Sequence, residues 1–356
     1  MRYLTVLVSW LTIFVAPQQV RSDATRADVA TSFSDLDRIT LRLYLNNKIT
    51  DYVTVLIGDA LDLLGRMNPR RKTILYFHGW TESPDSLSAV TVSSGKRTHA
   101  TLKLPHCRRG HNVIAVNWNV ISARDYATAA YSVVEVGKTV AKAFNEMVAS
   151  GLNASLLHVV SHSMGSQVAG AFGRHSDYGV RRITGLDPAG PGFHALIPDL
   201  SYKDAEFVDI IHTDGGIYGN ERRTGTVDFW PNGGTRFQPG CPSIYVPLTN
   251  EDFCNHYRSW YFYSESVLNE TAFLAVECPS KKDFESGLCD GNAVTLMGHG
   301  TPATIAGNFH LQTNGDSPFG KGYAGTKFVS SGSTPVHQTV GEGVWSVGST
   351  IFYRGS

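Results

Sequence analysis

The sequence predicts an α/β fold built on a mostly parallel sheet, and three observations predict it. Five short apolar runs lack the strict alternation of a half-exposed strand, an amphipathic helical pattern lies between two of them, and strand–helix–strand succession implies βαβ units. The runs are Thr73–Phe77 (TILYF), Val113–Trp118 (VIAVNW), Leu156–Val160 (LLHVV), Arg182–Leu186 (RITGL) and Phe207–Ile211 (FVDII). A strand covered on both faces needs apolar side chains pointing both ways, so it reads as a continuous run. Over residues 126–149, Val133, Val136, Val140, Phe144 and Met147 recur at spacings of three and four, the apolar stripe of a helix. Many activities share this fold class, so it leaves function open.

Ahead of these elements, Arg2, the apolar stretch Leu4–Ala16 and the small-residue series Val20-Arg21-Ser22 read as a secretory signal peptide with cleavage after Ser22. The stretch is too short to span a bilayer, and no later run of 18 or more apolar residues occurs. The mature chain is therefore expected to be secreted, extracellular and without a transmembrane segment. Lys plus Arg total 31 and Asp plus Glu total 31, a balance that argues against nucleic-acid binding and against long-range attraction to anionic membranes. With 42% hydrophobic residues, one large domain over residues 23–320 is expected. Lys321–Ser356 contains 17 Gly, Ser or Thr and reads as a loosely ordered tail, although Val344, Trp345, Ile351, Phe352 and Tyr353 leave an edge strand open.

Export makes disulfides expected among the five cysteines. Their spacing suggests the local pairs Cys241–Cys254 and Cys278–Cys289 with Cys107 left over, although sequence alone does not fix connectivity. No C-x₂-C pattern accompanies them, so no metal site is expected. Asn153 and Asn269 each begin an N-x-S/T triplet and are candidate glycosylation sites on surface turns.

Chemistry enters at Ser161-His162-Ser163-Met164-Gly165, which follows the run Leu156–Val160 and precedes the helix-compatible SQVAGAFGRH. A serine in a tight strand-to-helix turn is lifted above the sheet, and the helix N-terminus points free N–H groups toward any anion formed there. The pattern resembles G-x-S-x-G, with Ser161 in place of the first glycine. A serine nucleophile needs a base, and the base an orienting carboxylate, in the chain order Ser, acid, His. Asp187 closes the run RITGL at the edge of a Pro/Gly turn, 24 residues past Ser163. That is the carboxyl end of a strand, where open α/β sheets build their sites. His256, 93 residues past Ser163 and two past Cys254, obeys the order, as do His212, His299 and His310. Order alone leaves the base open among them.

Eight segments in order resemble the pancreatic lipase family: YFHGW (76–80), HVVSHSMG (158–165), GLDPAGP (185–191), FVDIIHTDG (207–215), DFWPNGG (228–234), QPGC (238–241), CNHYRSW (254–260) and FLAVEC (273–278). The likeness runs from about Leu43 to Gly320 and implies an α/β-hydrolase fold. It also implies Ser163 as nucleophile, Asp187 as acid and His256 as base, with the backbone N–H groups of Trp80 and Met164 as oxyanion donors. The implied reaction is ester hydrolysis through an acyl-enzyme on a lipid at a membrane, micelle or droplet interface, without a cofactor. Protein partners are not indicated.

The chain also departs from that family. Cys241 and Cys254 resemble the pair that brackets the family's lid, yet enclose only 12 residues, PSIYVPLTNEDF. The segment from His212 to Asp228 is short as well, and no β-sandwich domain is expected after Gly320. In the family, shortening of both loops goes with phospholipase A1 activity, because a shorter rim leaves room for a polar head group. The expected function is thus a phospholipase A1-type hydrolase of the short-lid, single-domain, insect type. Two alternatives are a neutral-glyceride lipase and a non-catalytic storage or lipid-binding protein like the insect yolk proteins, which resemble this family but lack the nucleophile.

Overall fold

A computed structural model of the chain describes residues 35–46, 48–94 and 105–330. Among the described residues eleven strands form one sheet: β1 (Thr40–Tyr44), β2 (Tyr52–Leu56), β3 (Thr73–Phe77), β4 (Asn112–Asn117), β5 (Leu157–His162), β6 (Arg182–Leu186), β7 (Val208–Ile211), β8 (Val227–Pro231), β9 (Leu274–Glu277), β10 (Val294–Leu296) and β11 (Gly307–Leu311). Their order is β10-β9-β11-β8-β7-β6-β5-β3-β4-β1-β2. The strands from β11 to β4 in that order are mutually parallel, and antiparallel strands extend both ends.

Successive residues of the central strands feed two separate cores. Leu75, Phe77, Ile114, Val116, Leu157 and Val159 pack on one face, while Ile74, Tyr76, Val113, Ala115 and Val160 pack on the other. This explains the missing alternation, since every position along these strands is an inside position. The first face is covered by α2 (Tyr126–Ala149) and α3 (Met164–Arg174), and the second by α1 (Leu87–Ser94) and α4 (Cys254–Leu268). Asp125 caps α2 by accepting from Thr128 N–H, and the five apolar residues predicted for its stripe are all buried. Helices α2 and α3 approach closely enough that a Cβ on Gly137 would stand 2.5 Å from Ala171 Cβ.

Two predicted strands match at both ends, and the other three shift by one or two residues. β1, β2 and the strands from β8 on are additions that the apolar runs did not announce. The expected tail boundary needs correcting. Residues 321–330 pack on the domain: Gln312 N–H donates to Gly325 O at 2.8 Å, and Gln312 Oε1 accepts from Val329 N–H at 3.0 Å. Hydrogen bonding to a core strand's end, not composition, decides this segment. The expected signal peptide and residues 331–356, with the edge strand left open above, lie outside the described residues. Among the described residues no helix is long and apolar enough to cross a membrane.

Candidate active site

The parallel order places the carboxyl ends of β3, β5, β6 and β7 side by side, so the residues just past them meet at one edge of the sheet. Ser163 is the single residue between β5 and α3, with φ 54° and ψ −126°. Such a conformation costs a non-glycine residue about 1–3 kcal/mol and persists only where its surroundings hold it. Here Ser163 N–H donates to Leu186 O at 3.1 Å and Ser166 N–H to Ser163 O at 3.0 Å. Gly165 is required because a Cβ there would lie 2.4 Å from His78 O and 2.5 Å from Phe77 O. Ser161, at the motif's first glycine position, is fully buried, and its hydroxyl donates to Thr184 O at 3.1 Å. The departure from G-x-S-x-G is thus accommodated with the hydroxyl satisfied.

Asp187 follows β6 with φ 45° and is fully buried. Its Oδ1 accepts from Thr213 N–H at 2.7 Å and Asp214 N–H at 3.1 Å, and its Oδ2 accepts from His256 Nδ1–H at 2.6 Å. Backbone crosses directly above the carboxylate, where a Cβ on Gly219 would come 2.5 Å from Oδ1. His256 lies in the first turn of α4, beside Cys254, which is bonded to Cys241. Burial, the largest influence, lowers the His256 pKa below its usual 6.5, although the hydrogen bond and charge of Asp187 pull the other way. Of the other histidines left open by chain order, His212 is stacked on Trp230 and bonded to Asp228, and His299 and His310 stand among other side chains. His256 alone of the four reaches Asp187.

Ser163 and His256 line a cavity of about 740 Å³, shared with Trp80, Tyr126, Pro191, Leu196, Ile217, Tyr218, Leu248, Phe253 and Tyr257. Its mouth is apolar: Leu196, Ile217 and Leu248 are exposed there, and Ile244 nearby on the same loop as Leu248 is 92% exposed. The loop between Cys241 and Cys254 contains turns but no helix. Its end is tied to the loop that cradles Asp187, since Arg236 donates to both Asp214 (2.7 and 3.0 Å) and Asp252 (2.5 Å). Trp80 follows β3 and lines the same cavity as Ser163, and Met164, the next residue along the chain from Ser163, opens α3. Neither backbone N–H has a partner among the described residues.

Sequence reasoning missed the residues that hold this pair in place. Thr213, Asp214 and Gly219 cradle Asp187, and Glu82 and His162 sit beside Ser163. The segment FVDIIHTDG carried the first two, but their role is played by backbone N–H groups, which side-chain identity does not reveal. The second disulfide joins Cys278 to Cys289, and Cys107 is a half-buried free thiol whose pKa burial pushes up to about 12. Asn153 and Asn269 are exposed, and each accepts through Oδ1 from the serine or threonine two residues on.

A mostly parallel sheet with a strained serine between strand and helix and an acid–imidazole pair at the same edge defines an α/β-hydrolase fold. A family model described as lipase matches residues 12–319. The chain belongs to the pancreatic lipase family. Pancreatic triacylglycerol lipase of Myocastor coypus is 30% identical over 308 residues, covering 78% of this chain and 65% of that protein. Pancreatic lipase-related protein 2 of Mus musculus is 36% identical over 307 residues, covering 77% of this chain and 61% of that one. Inactive pancreatic lipase-related protein 1 of Homo sapiens is 32% identical over 326 residues, covering 83% and 68%. The chain spans about half to two thirds of the length of most such relatives, 47% for lipase member H-A of Xenopus laevis.

Proposed function

We propose that this chain is a secreted serine hydrolase that cleaves carboxylic esters of lipids, with phospholipase A1-type release of a fatty acid. The observation that carries this reading is the His256–Asp187 hydrogen bond of 2.6 Å beside the strained Ser163, at the floor of an apolar-mouthed cavity. Because Nδ1 of His256 is committed to Asp187, Nε2 is the nitrogen left to take the Ser163 proton. Ser163 Oγ then attacks the ester carbonyl, and the oxyanion is met by Trp80 N–H and Met164 N–H, donors typically worth ~10²–10³ in rate each. Collapse breaks the acyl–oxygen bond, and His256 returns the proton to the departing alcohol. Water repeats the sequence on the acyl-enzyme, releasing the fatty acid and restoring Ser163. Exposed Leu196, Ile217 and Leu248 at the cavity rim suit contact with a lipid surface.

The preference for a phospholipid rests on the loop between Cys241 and Cys254, whose ends are only 13 residues apart in sequence and which reaches the cavity with Leu248 and Phe253. With phosphatidylcholine, triolein and a galactolipid presented as mixed micelles, lysophosphatidylcholine and free fatty acid are expected as the fastest-formed products. Hydrolysis of triolein without any lysophospholipid overturns the phospholipase reading and leaves the neutral-glyceride one.

The pH profile follows from His256. As a base it must be neutral, so kcat/KM rises as the imidazole loses its proton and then levels off. Its lowered pKa places the midpoint of that rise below 6.5, and full activity is retained at neutral pH. A midpoint above about 7 in a soluble-ester assay contradicts the dominance of burial over the Asp187 charge.

A further inference from the structure

One carboxylate fastens the turn that carries Trp80 to the residue beside the nucleophile. Glu82 Oε2 accepts from Gly79 N–H at 2.6 Å and lies 3.2 Å from His162 Nδ1. A Cβ placed on Gly79 would fall 3.1 Å from that oxygen, 3.1 Å from Ser163 Cβ and 3.3 Å from His162 Nδ1. Turn backbone, carboxylate, imidazole and nucleophile therefore meet at one point, with little room for a side chain at 79. The rest of the turn is equally committed. Thr81, at φ 60°, donates its N–H to Ser122 O at 2.8 Å, and Glu82 O accepts from Asn119 Nδ2 at 2.8 Å. The amides on both sides of Trp80 are thus pinned, one by Glu82 and one by Ser122, and the Trp80 N–H between them is the one left free.

We propose that Glu82 is a positioning residue of the hydrolysis: its carboxylate clamps the 79–82 turn to His162 and thereby sets the direction of the Trp80 N–H relative to Ser163. This rests on the serine-hydrolase reading for its catalytic consequence. A carboxylate oxygen can accept two N–H donors at once, which an aliphatic side chain cannot. Burial alone would push the Glu82 pKa up, but the His162 imidazole and the Gly79 N–H hold it at about 2, so the clamp is charged throughout the working range. The titratable groups facing it are His162, His78, His256, Tyr76 and Tyr257. His162 in turn stands 4.7 Å, ring to ring, from His256. The Glu82 charge raises the pKa of His256, so losing that charge moves the base's titration to lower pH.

The test compares Glu82→Ala and Glu82→Gln in the full chain, with active sites counted by fluorophosphonate labelling. Alanine removes the clamp, whereas the glutamine amide oxygen can still take both N–H groups without the charge. Expected for Glu82→Ala is a kcat per labelled site lower by ~10–100-fold with KM for a soluble ester within about threefold, the pattern of a misplaced oxyanion donor. Expected for Glu82→Gln is recovery of most of kcat with the midpoint of the pH profile shifted down. A merely structural role would lower the melting temperature and the number of labelled sites, and leave kcat per site and the pH midpoint alone. That result overturns the proposal. Hydrogen exchange of Gly79–Thr81 gives an arm independent of turnover, faster in Glu82→Ala than in wild type and restored in Glu82→Gln. If wild type neither labels nor hydrolyses, the hydrolase reading has failed, and the clamp itself is judged on exchange, where an unchanged rate in Glu82→Ala overturns it.

Discussion

Ser163→Ala is expected to abolish fluorophosphonate labelling and to lower kcat by roughly 10⁴–10⁶-fold with little loss of stability. The kinetic effect follows from the proposed chemistry, since without the hydroxyl no acyl-enzyme forms. The small cost in stability follows from the structure. The Ser163 side chain does not cap α3, and the strained turn is held by backbone bonds to Leu186 O and from Ser166 N–H that alanine keeps. Alanine meets the same φ penalty as serine, so the strain does not change sign or size. The melting temperature should therefore stay within a few degrees of wild type, which separates lost chemistry from lost fold. Some turnover above background remains expected, because the oxyanion donors and the cavity still act, worth ~10³–10⁴ over water in comparable triads. Labelling is the sharper measurement for that reason. A wild type labelled no more than Ser163→Ala points instead to a binding or storage role.

The parts of this fold that were legible in the sequence are those buried on both sides. β3 and β6 could be read to the residue, because every side chain in TILYF, and four of five in RITGL, faces a core. β2 could not: its burial alternates between exposed and half-buried, and YVTVL at the edge of the sheet carries little to distinguish it from a loop. The short β9 and β10 depend on partners far along the chain, which composition does not report. The site shows the same division. Ser163, Asp187 and His256, the proposed triad, could be picked out because the proposed chemistry lies in side chains of fixed order, and the choice of His256 over His212 came from the family segments. Geometry supplies the independent reason, since His212 is already spent on Asp228 and Asn220 O. Glu82 was invisible. It sits three residues past Gly79 in a turn whose backbone partner is an N–H group, and no pattern of residue types encodes that.

The cradle around Asp187 leads to the second large effect, and it depends on which oxygen does what. In Asp187→Asn the side chain keeps its size, so the buried site should fold unchanged. Orientation is then forced. Thr213 N–H and Asp214 N–H, at 2.7 and 3.1 Å from Oδ1, are both donors, so the amide must turn its oxygen toward them and its NH₂ toward His256. An NH₂ group at the place of Oδ2 cannot accept the Nδ1 proton of His256, which Asp187 now takes at 2.6 Å. His256 then places its proton on Nε2 and accepts at Nδ1, and the nitrogen facing Ser163 becomes a donor where a base is required. A kcat lower by about 10⁴-fold is expected, with KM changed little because Asp187 is fully buried beneath Gly219 and does not line the cavity. The remaining activity should also rise at lower pH than in wild type, because the charge and hydrogen bond of Asp187 both raise the His256 pKa. Steady-state kinetics across pH 4–9 with a soluble ester measures both. A kcat within tenfold of wild type would mean that the imidazole does not depend on this carboxylate for its tautomer, and the assignment of Asp187 as the acid would fall.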